Sequence, residues 1–455
     1  MARICPIDTM ICSHACNLTA AQRHVPMAAT AIVQAGGKGT RLGDMAKAIP
    51  KPMVPVAGTP ILEHQVRLLR RYGFTDVLIV TGHLAGTIEQ YFGDGARFGV
   101  HIEYFRETTP LGTTGALKEI EDRLADDFLV LYGDVMLSMD LTKLFAYHKN
   151  KRSACTLVLH PNDHPEDSDL VEMDATRSVT AVHPKPHDPA RWYRNMVNAA
   201  VYMMSRGFLK HVKRGVKADF GRDILPRVAG HERIYGYVTA EYIKDVGTPE
   251  RVAQVTADCA SGRIERLNAE HTRRAIFLDR DGVINREVGL LHRAEDFELL
   301  PGVANAIRAI NQSDFLAIVV TNQPVIARGL CTPGQLEEIH RKMDTLLGRE
   351  HAKLDALYFC PHHPDRGYPG EDPAYKVECM CRKPKTGMLD LAAADFNIDL
   401  HGSFLIGDAA RDILCARAAG MIAIGVLTGE GWEKAGVEPD HAFDSLADAV
   451  TFALR

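Results

Sequence analysis

The sequence predicts an α/β protein of two successive domains, each a mostly parallel sheet flanked by helices. Three observations predict it. From residue 27 onward short apolar runs alternate with amphipathic stretches, the pattern of strand–helix–strand units. The alternation stops in a polar, partly basic stretch at residues 257–274 and restarts near residue 273. A length of 455 residues gives room for two or three domains.

In the first half, TAIVQA (30–35), DVLIV (76–80), FLVLYGD (128–134) and ACTLVLH (154–160) read as buried strands. Residues 61–73 and 115–124 carry apolar positions on one helical face between them. In the second half RAIFLD (274–279), FLAIVVTN (315–322), ALYFC (356–360), SFLIGD (403–408) and AIGVL (423–427) read as strands. Residues 303–310, 335–348, 388–396 and 411–420 read as the intervening helices. The expected organisation is a first domain over 27–260, a linker over 261–272 and a second domain over 273–455. Each domain is long enough to bury its own core. Residues 1–26 lack a continuous apolar stretch, and MAATAIVQAGG opens at Met27 like a second start, so 1–26 is expected to be a disordered extension.

Composition excludes several classes. Hydrophobic residues are 46% and charged residues 24%, the balance of a globular chain. Fifty-three Lys and Arg against 58 Asp and Glu leave a net charge of -5, which argues against nucleic acid and anionic lipid as partners. The longest apolar runs, such as residues 315–320, fall far short of the ~20 that span a bilayer. Ten cysteines include Cys5, Cys12 and Cys16 near the start and a second group at Cys360, Cys379 and Cys381. That uneven usage suits a reducing, cytoplasmic compartment and a metal site. A homo-oligomer is left open.

The first domain carries Gln34-Ala-Gly-Gly-Lys-Gly-Thr-Arg-Leu42 directly after a predicted strand. Gly36, Gly37 and Gly39 let backbone N–H groups come close to an anion, and Arg41 adds a forked donor for phosphate. Lys51 places a second cation nearby, and Gly112-Thr-Thr-Gly115 offers further N–H donors before a helix. Asp134 stands at the carboxyl end of a strand, where open α/β sheets bind ligands. A carboxylate beside a polyphosphate needs a divalent cation between them, and Asp245 in YIKDVGTPER is the candidate second carboxylate.

GGKGTRL, PKPMVPVAGTPILEH, PLGTTGAL, GDV, NAAVYMM and DVGTPER, in this order over residues 29–257, resemble the sugar-1-phosphate nucleotidyltransferases. The resemblance implies a Rossmann-like, GT-A-like domain with a mixed, mostly parallel sheet. It implies that Gly36, Gly37, Gly39, Thr40 and Arg41 cradle a triphosphate and that Lys51 steadies the reacting phosphates. It places Gln34 and Gly82 near the base, Mg²⁺ on Asp134 and Asp245, and the sugar phosphate on Lys185. Two departures stand out: Gly43-Asp44-Met45-Ala46 follows the glycine loop, and Pro184-Lys185-Pro186 replaces the common Glu-Lys-Pro. The segment is most similar to mannose-1-phosphate and heptose-1-phosphate guanylyltransferases, which makes GTP the expected donor.

In the second domain Asp279 and Asp281 end a buried strand on the same side. Two carboxylates there repel unless a cation joins them. Asp279 can attack phosphorus, and Asp281, when protonated, can serve the leaving alcohol. Thr321 and Asn322 offer a hydroxyl and an amide, Arg382 and Lys383 bring cations, and Asp408 ends a third strand as a candidate Mg²⁺ ligand. Asp412, one helical turn later, either ligates or caps a helix. Cys360, Cys379 and Cys381 with His362 or His363 form a Cys₃His set suited to structural zinc.

Residues 273–431 resemble the haloacid dehalogenase (HAD) superfamily of phosphatases, with a Rossmann-like fold. The resemblance implies that Asp279 is the nucleophile and Asp281 the acid/base. Thr321 and Lys383 then bind the phosphoryl group. Asp279, Asp408 and the Asp281 backbone carbonyl hold Mg²⁺. CPHHP and CMCRKP are similar to the loop of the heptose-1,7-bisphosphate 7-phosphatases, a likeness that chooses His362 as the zinc ligand and puts Arg382-Lys383 directly after the metal. Pro324-Val325 and Ala409 depart from that pattern.

Together the resemblances imply one chain that removes the C7 phosphate of a heptose 1,7-bisphosphate and then transfers a nucleotidyl group to the heptose 1-phosphate, with Mg²⁺ in both domains. The enzyme alternative pairs mannose-1-phosphate guanylylation with a histidinol-phosphate-type phosphatase. A different class is a non-catalytic first domain that senses a nucleotide sugar and regulates the phosphatase. DNA-end repair finds no basic patch to support it.

Overall fold

The computed structural model describes residues 2–4, 29–37 and 49–455. In the first domain the strand Thr30–Gln34 lies parallel between Asp76–Thr81 and Asp127–Tyr132. Ala31, Ile32 and Val33 have no exposed surface, as befits a strand covered on both faces. His101–Arg106 extends the parallel part at one edge. On the other side the sheet turns antiparallel through Val197–Ser205, Leu170–Met173 and Val179–His183. Cys155–His160 also pairs with Val197–Ser205, and that pairing shifts register between Asn198 and Tyr202, where Ala200 takes φ 57. The bulge turns Asn198, Ala199 and Ala200 into the wall of a cavity.

The second domain is a seven-stranded parallel sheet in the order Ala2–Ile4, Ala356–Cys360, Phe315–Asn322, Arg274–Leu278, Phe404–Gly407, Ile422–Val426 and His441–Phe443. Ala2–Ile4 adds to its edge, and the rest of the expected 1–26 extension lies outside the described residues. Both sheets reverse strand order beside their first buried strand, Thr30–Gln34 in one and Arg274–Leu278 in the other. The carboxyl ends of those strands are therefore the crevices where ligands bind.

The helix Pro333–Arg349 opens with a capping box between Thr332 and Gln335. Its buried stripe of Leu336, Ile339, His340, Met343 and Leu347 packs on the second domain. Its other face meets the first domain. Arg194 Nε lies 2.7 Å from Asp344, and the N–H groups of Tyr193 and Asn195 donate to Thr345 and Asp344 at 2.9 and 3.1 Å.

Each domain has a core, and a further apolar cluster crosses the seam from Val56, Ile61, Tyr242 and Val255 to Ala275, Phe277, Ile318 and Tyr358. The connecting stretch is laid down on the first domain. Asn268 is fully buried and donates to the Tyr72 hydroxyl at 3.0 Å and to Ser138 at 3.2 Å. Buried Glu241 accepts from the N–H groups of Ala269 and Asp140 at 2.9 and 2.8 Å. Among the described residues no helix is long and apolar enough to cross a membrane.

Candidate active sites

The first site forms at the carboxyl edge of the first sheet. Gly36 and Gly37 follow the central strand. A Cβ on Gly82 would lie 2.9 Å from the Gly36 carbonyl oxygen, so these two loops touch backbone to backbone as only glycine permits. Gly39, Thr40 and Arg41 lie outside the described residues. Gln34 Nε2 donates to the Thr113 carbonyl at 3.3 Å, which ties the glycine turn to the helix Gly112–Glu119. Gly112 sits at φ +76, where a Cβ would come 2.4 Å from the Ala218 carbonyl. The sequence led us to expect open N–H donors here. The Thr114 N–H is instead taken by that same carbonyl at 3.2 Å, because the 218–220 segment packs across the turn.

Lys51 is buried in the single turn Lys51–Met53 after Pro50, and its ammonium is ion-paired with Asp134. The strand Tyr242–Asp245 pairs antiparallel with Val135–Ser138, which sets Asp245 opposite Val135. The Val246 N–H donates to the Asp134 carbonyl at 2.8 Å, so the two carboxylates reach one place from distant parts of the chain. Arg251 Nη1 lies 2.6 Å from both oxygens of Asp245, and its Nη2 is 3.4 Å from Asp167. Arg251 escaped the sequence reading. Its signal is an arginine in the first turn of the helix Pro249–Ala260, just after a strand that ends in a carboxylate. The Lys185 ammonium reaches the Asp167 carbonyl. Asp134, Lys185, Asn198, Asp245 and Arg251 line one cavity of about 410 Å³. Two carboxylates facing a cavity suit a hard, oxygen-seeking divalent cation. Lys51 and Arg251 already lie against them as cations.

The second site forms at the carboxyl edge of the second sheet. Asp279, Asp408 and Asp412 each offer an oxygen within 4.8 Å of the others. Lys383 Nζ lies 2.9 Å from Asp279 and 2.7 Å from Asp412, and donates to the Val320 carbonyl at 2.7 Å. Burial pushes Asp279 up to about 6 despite Lys383. Burial, with Asp279 and Asp412 alongside, pushes Asp408 up to about 7. Asp408 Oδ1 is buried without a hydrogen-bond partner. Three crowded carboxylates with one orphaned oxygen fit a divalent cation. Asp412 caps the helix, its Oδ2 accepting from the Ala409 N–H at 3.1 Å, while its Oδ1 lies 2.7 Å from Lys383.

Asp281 departs from the expected pairing with Asp279 through a cation. Its carboxylate turns to the residue between them: Arg280 Nη2 lies 2.8 and 2.9 Å from its two oxygens. Asn285 Nδ2 and Gln323 Nε2 add bonds at 3.0 and 2.8 Å. Burial works to raise Asp281, but Arg280, Asn285 and Gln323 outweigh it and hold the carboxyl below its usual range. Thr321 is buried beside it and accepts from Gln323 at 2.9 Å. Asn322 and Lys383 exchange two bonds of 3.0 Å, side-chain amide to backbone. Asp279, Asp281, Thr321, Asn322, Arg382 and Arg411 line a cavity of about 430 Å³. Arg280, Gln323 and Arg411 were not singled out in the sequence, where nothing separates a buried arginine from an exposed one.

Cys360, His362, Cys379 and Cys381 converge beside this cavity, all buried. Their sulfurs lie 3.5 and 3.3 Å apart, and His362 Nδ1 is 3.4 Å from Cys381 Sγ and 3.7 Å from Cys360 Sγ. A tetrahedral ion with Zn–S of ~2.3 Å sets ligand edges of about 3.8 Å, so the set fits zinc with a slight expansion. Contact with Cys379 pushes the Cys360 thiol up to about 12, while contact with Cys360 and Cys381 holds Cys379 far down; the thiols cannot all ionise together without a cation. His363 points elsewhere, 3.4 Å from Arg328. Arg382 Nη1 donates to the His362 carbonyl at 3.2 Å, which ties the cavity wall to this cluster.

The two cavities lie at opposite ends of the second sheet. The first is walled by Asn311 and Lys353, which precede the strands Phe315–Asn322 and Ala356–Cys360. The second is walled by Thr321 and Asn322, at the far end of the former.

Residues 30–262 match the family model for nucleotidyl transferase, and residues 380–449 match the one for HAD-hydrolase-like proteins. A mannose-1-phosphate guanylyltransferase of Mycobacterium tuberculosis is 34% identical over 235 residues, 51% of this chain. The chain spans 65% of that relative's length, less than two thirds. A D-glycero-beta-D-manno-heptose-1,7-bisphosphate 7-phosphatase of Haemophilus ducreyi is 37% identical over 187 residues, covering 40% of this chain and 98% of that protein. The crystal structure of HddC from Yersinia pseudotuberculosis complexed with GMP-PN aligns at 24% identity over 51% of this chain and 99% of that one, with a TM-score of 0.45.

Proposed function

The chain belongs to the nucleotidyl transferase family over its first half and to the HAD-like phosphatases over its second, and from that premise we propose two consecutive reactions on one sugar. The second domain removes the C7 phosphate of a D-glycero-D-manno-heptose 1,7-bisphosphate. The first domain transfers a guanylyl group from GTP to the resulting heptose 1-phosphate, giving GDP-heptose and pyrophosphate. The observation that carries this reading is the presence, in one chain, of the Asp134–Asp245 cavity and of an Asp279–Asp408–Asp412 cluster in a domain whose relatives are heptose-bisphosphate 7-phosphatases. The guanylyltransferase relative supports GTP. The functional boundaries fall at 27–260 and 273–455, and the reduced thiol cluster suits a reducing cytoplasm.

In the second domain Asp279 attacks the C7 phosphorus. The phosphorus–oxygen bond to the sugar breaks, and the leaving oxygen takes a proton by way of Asp281, which Arg280, Asn285 and Gln323 hold ionised beforehand and which receives that proton from the substrate's phosphate monoanion. Asp281 then takes a proton from water, which attacks the aspartyl phosphate and frees inorganic phosphate and Asp279. Lys383 and Thr321 hold the phosphoryl oxygens. In the first domain a C1-phosphate oxygen attacks the α-phosphorus of GTP and pyrophosphate leaves. Lys51 and the glycine turn align the phosphates, and Lys185 holds the acceptor. Asp279, Asp408 and Asp412 in one domain and Asp134 and Asp245 in the other would hold Mg²⁺, which would supply charge neutralisation.

The test is incubation of the bisphosphate with GTP and Mg²⁺. Inorganic phosphate should appear first, then pyrophosphate with a GDP-sugar. Asp134→Ala should stop at heptose 1-phosphate, and Asp279→Asn should release no phosphate. Phosphate release from the wild type without any nucleotide sugar defeats the coupled reading, and turnover of mannose 1-phosphate alone favours the mannose alternative.

A further inference from the structure

The first cavity is not closed by the first domain. Its near end carries Asp134 and Asp245, and its far end reaches the second domain at Arg308, Asn311, Gln312, His351 and Lys353. This contact is built rather than grazing. The His351 ring lies 3.1 Å from the Asp163 carbonyl across the seam. A Cβ on Gly348 would stand 2.6 Å from Pro165, so the end of the helix Pro333–Arg349 presses on the loop that carries His164 and Asp167. Asn311 clamps the backbone of Lys353 with bonds of 2.8 and 2.9 Å, which fixes where Lys353 starts.

We propose that the phosphatase domain supplies the far wall of the transferase's acceptor pocket, and that Lys353 and Gln312 bind the hydroxyl-bearing end of the acceptor sugar remote from its C1 phosphate. The inference rests on the transferase reading above and names the specificity determinants of that site. Orientation follows from charge: the C1 phosphate belongs where carboxylates and a divalent cation gather, at Asp134 and Asp245. The remote end of the sugar then faces the seam.

Hydroxyls suit the far end better than a second phosphate. The cations there are already engaged: Lys244 is 3.6 Å from Asp163, Arg263 is 3.4 Å from Asp258, Lys353 is ion-paired with Asp355, and Arg308 donates to the Glu350 carbonyl and to Asn305. Lys244 also donates to Gln254 at 2.7 Å. Burial, with Lys353 alongside, keeps His160 neutral by pushing it down to about 3. Donors and acceptors therefore stand together on this wall. A dianion would have to sit against Asp163 and Asp258, whereas a polyol can use both kinds of group. A sugar with a side chain beyond C6 extends further toward this wall than a hexose does.

The experiment compares heptose 1-phosphate with mannose 1-phosphate as acceptors, on the full chain with GTP and Mg²⁺, for the wild type, Lys353→Met and Gln312→Ala. Lys353→Met should raise KM for heptose 1-phosphate about tenfold, the scale of one lost charged hydrogen bond. KM for mannose 1-phosphate should stay within about twofold. Gln312→Ala, at an exposed position, should move the same ratio in the same direction; thermal melting checks that each variant is folded. Equal weakening of both acceptors, or no change in either, overturns the inference while leaving the transferase reading intact. A wild type that uses mannose 1-phosphate but not heptose 1-phosphate overturns the reading itself and the inference with it.

Discussion

Arg280 and Asp281 are neighbours in sequence and a closed pair in space, with Nη2 of the arginine 2.8 and 2.9 Å from the two oxygens of the carboxylate. Arg280 has no exposed surface. Its Nη2 also reaches Gln323 at 3.0 Å, so the whole guanidinium is fixed by groups around the second cavity. A buried ion pair of this kind costs several kcal/mol to break from one side, because the partner charge is left unpaired. Arg280 therefore sets where the Asp281 carboxylate can be.

Replacing Arg280 should disable the phosphatase without emptying its site. Arg280→Met is expected to lower kcat about a hundredfold, since a displaced acid/base group forfeits a factor of this order. KM should change little, because Thr321 and Lys383 remain. Arg280→Lys keeps the charge but not the planar fork, and should recover part of the loss. Phosphate release from the bisphosphate reads all three proteins. An unchanged kcat in the methionine variant would make Arg280 a core ion with no part in positioning.

The cysteine loop leads to a second expectation. Arg382 and Lys383 follow Cys381 directly, and Arg382 is bonded back to the His362 carbonyl. Ordering the loop by metal would convert binding energy into a fixed Lys383. Cys379→Ser should lose bound zinc, measured by elemental analysis, together with most phosphatase turnover. Nucleotidyl transfer should persist in the same preparation. Full phosphatase turnover in a zinc-free variant would reject the role of the loop.

Much of this arrangement was legible in the sequence, and the pattern of misses has physical causes. The parallel strands were readable because burial on both faces leaves unbroken apolar runs: residues 315–322 and 356–360 match the observed strands residue for residue. The antiparallel strand Leu170–Met173 and the strand Ile234–Val238, which pairs parallel with Cys155–His160, were missed because half-exposed strands carry mixed residues, such as Glu172 or Tyr235. Carboxylates at strand ends were readable because topology puts them at a crevice. What settles their chemistry is the cation that meets each one: Arg251 on Asp245, Arg280 on Asp281, and Lys383 between Asp279 and Asp412, of which the sequence had pointed only to Lys383. Spacing left His362 and His363 equivalent. Only the turn after Cys360 aims one ring at the sulfurs and the other at Arg328.

Acid should destabilise the seam through His340. This ring is fully buried, on the helix that joins the domains, with Glu337 3.9 Å away and Arg280 3.4 Å away. Burial pushes it down to about 4; Glu337 opposes that shift, and Arg280 and Arg194 add to it. The unfolded ring titrates near 6.5. Below that value the unfolded chain takes up a proton that the folded chain refuses, so stability falls as pH drops from 6.5 toward 4. At pH 5 the loss from this one group is about 2 kcal/mol by the linkage slope of ~1.4 kcal/mol per unit. His340→Gln, compared with the wild type by urea unfolding at pH 7.5 and pH 5, should lose less stability on acidification by about that amount. Equal losses in both proteins would assign acid sensitivity to other groups.

The placement of the two cavities argues against direct transfer of the intermediate. Asn311 precedes, and Asn322 ends, the strand Phe315–Asn322. Eight residues at ~3.3 Å each separate the cavities by about 26 Å through the packed second sheet. In the proposed sequence of reactions, heptose 1-phosphate released at Asp279 would therefore leave into solvent and re-enter at the seam. Fusion raises its local concentration but does not hold it. Labelled bisphosphate, turned over with GTP in a tenfold excess of unlabelled heptose 1-phosphate, should give GDP-sugar whose label is diluted about tenfold, as free mixing requires. Product that keeps most of its label would mean that the intermediate passes between the sites by a route the packed sheet does not offer.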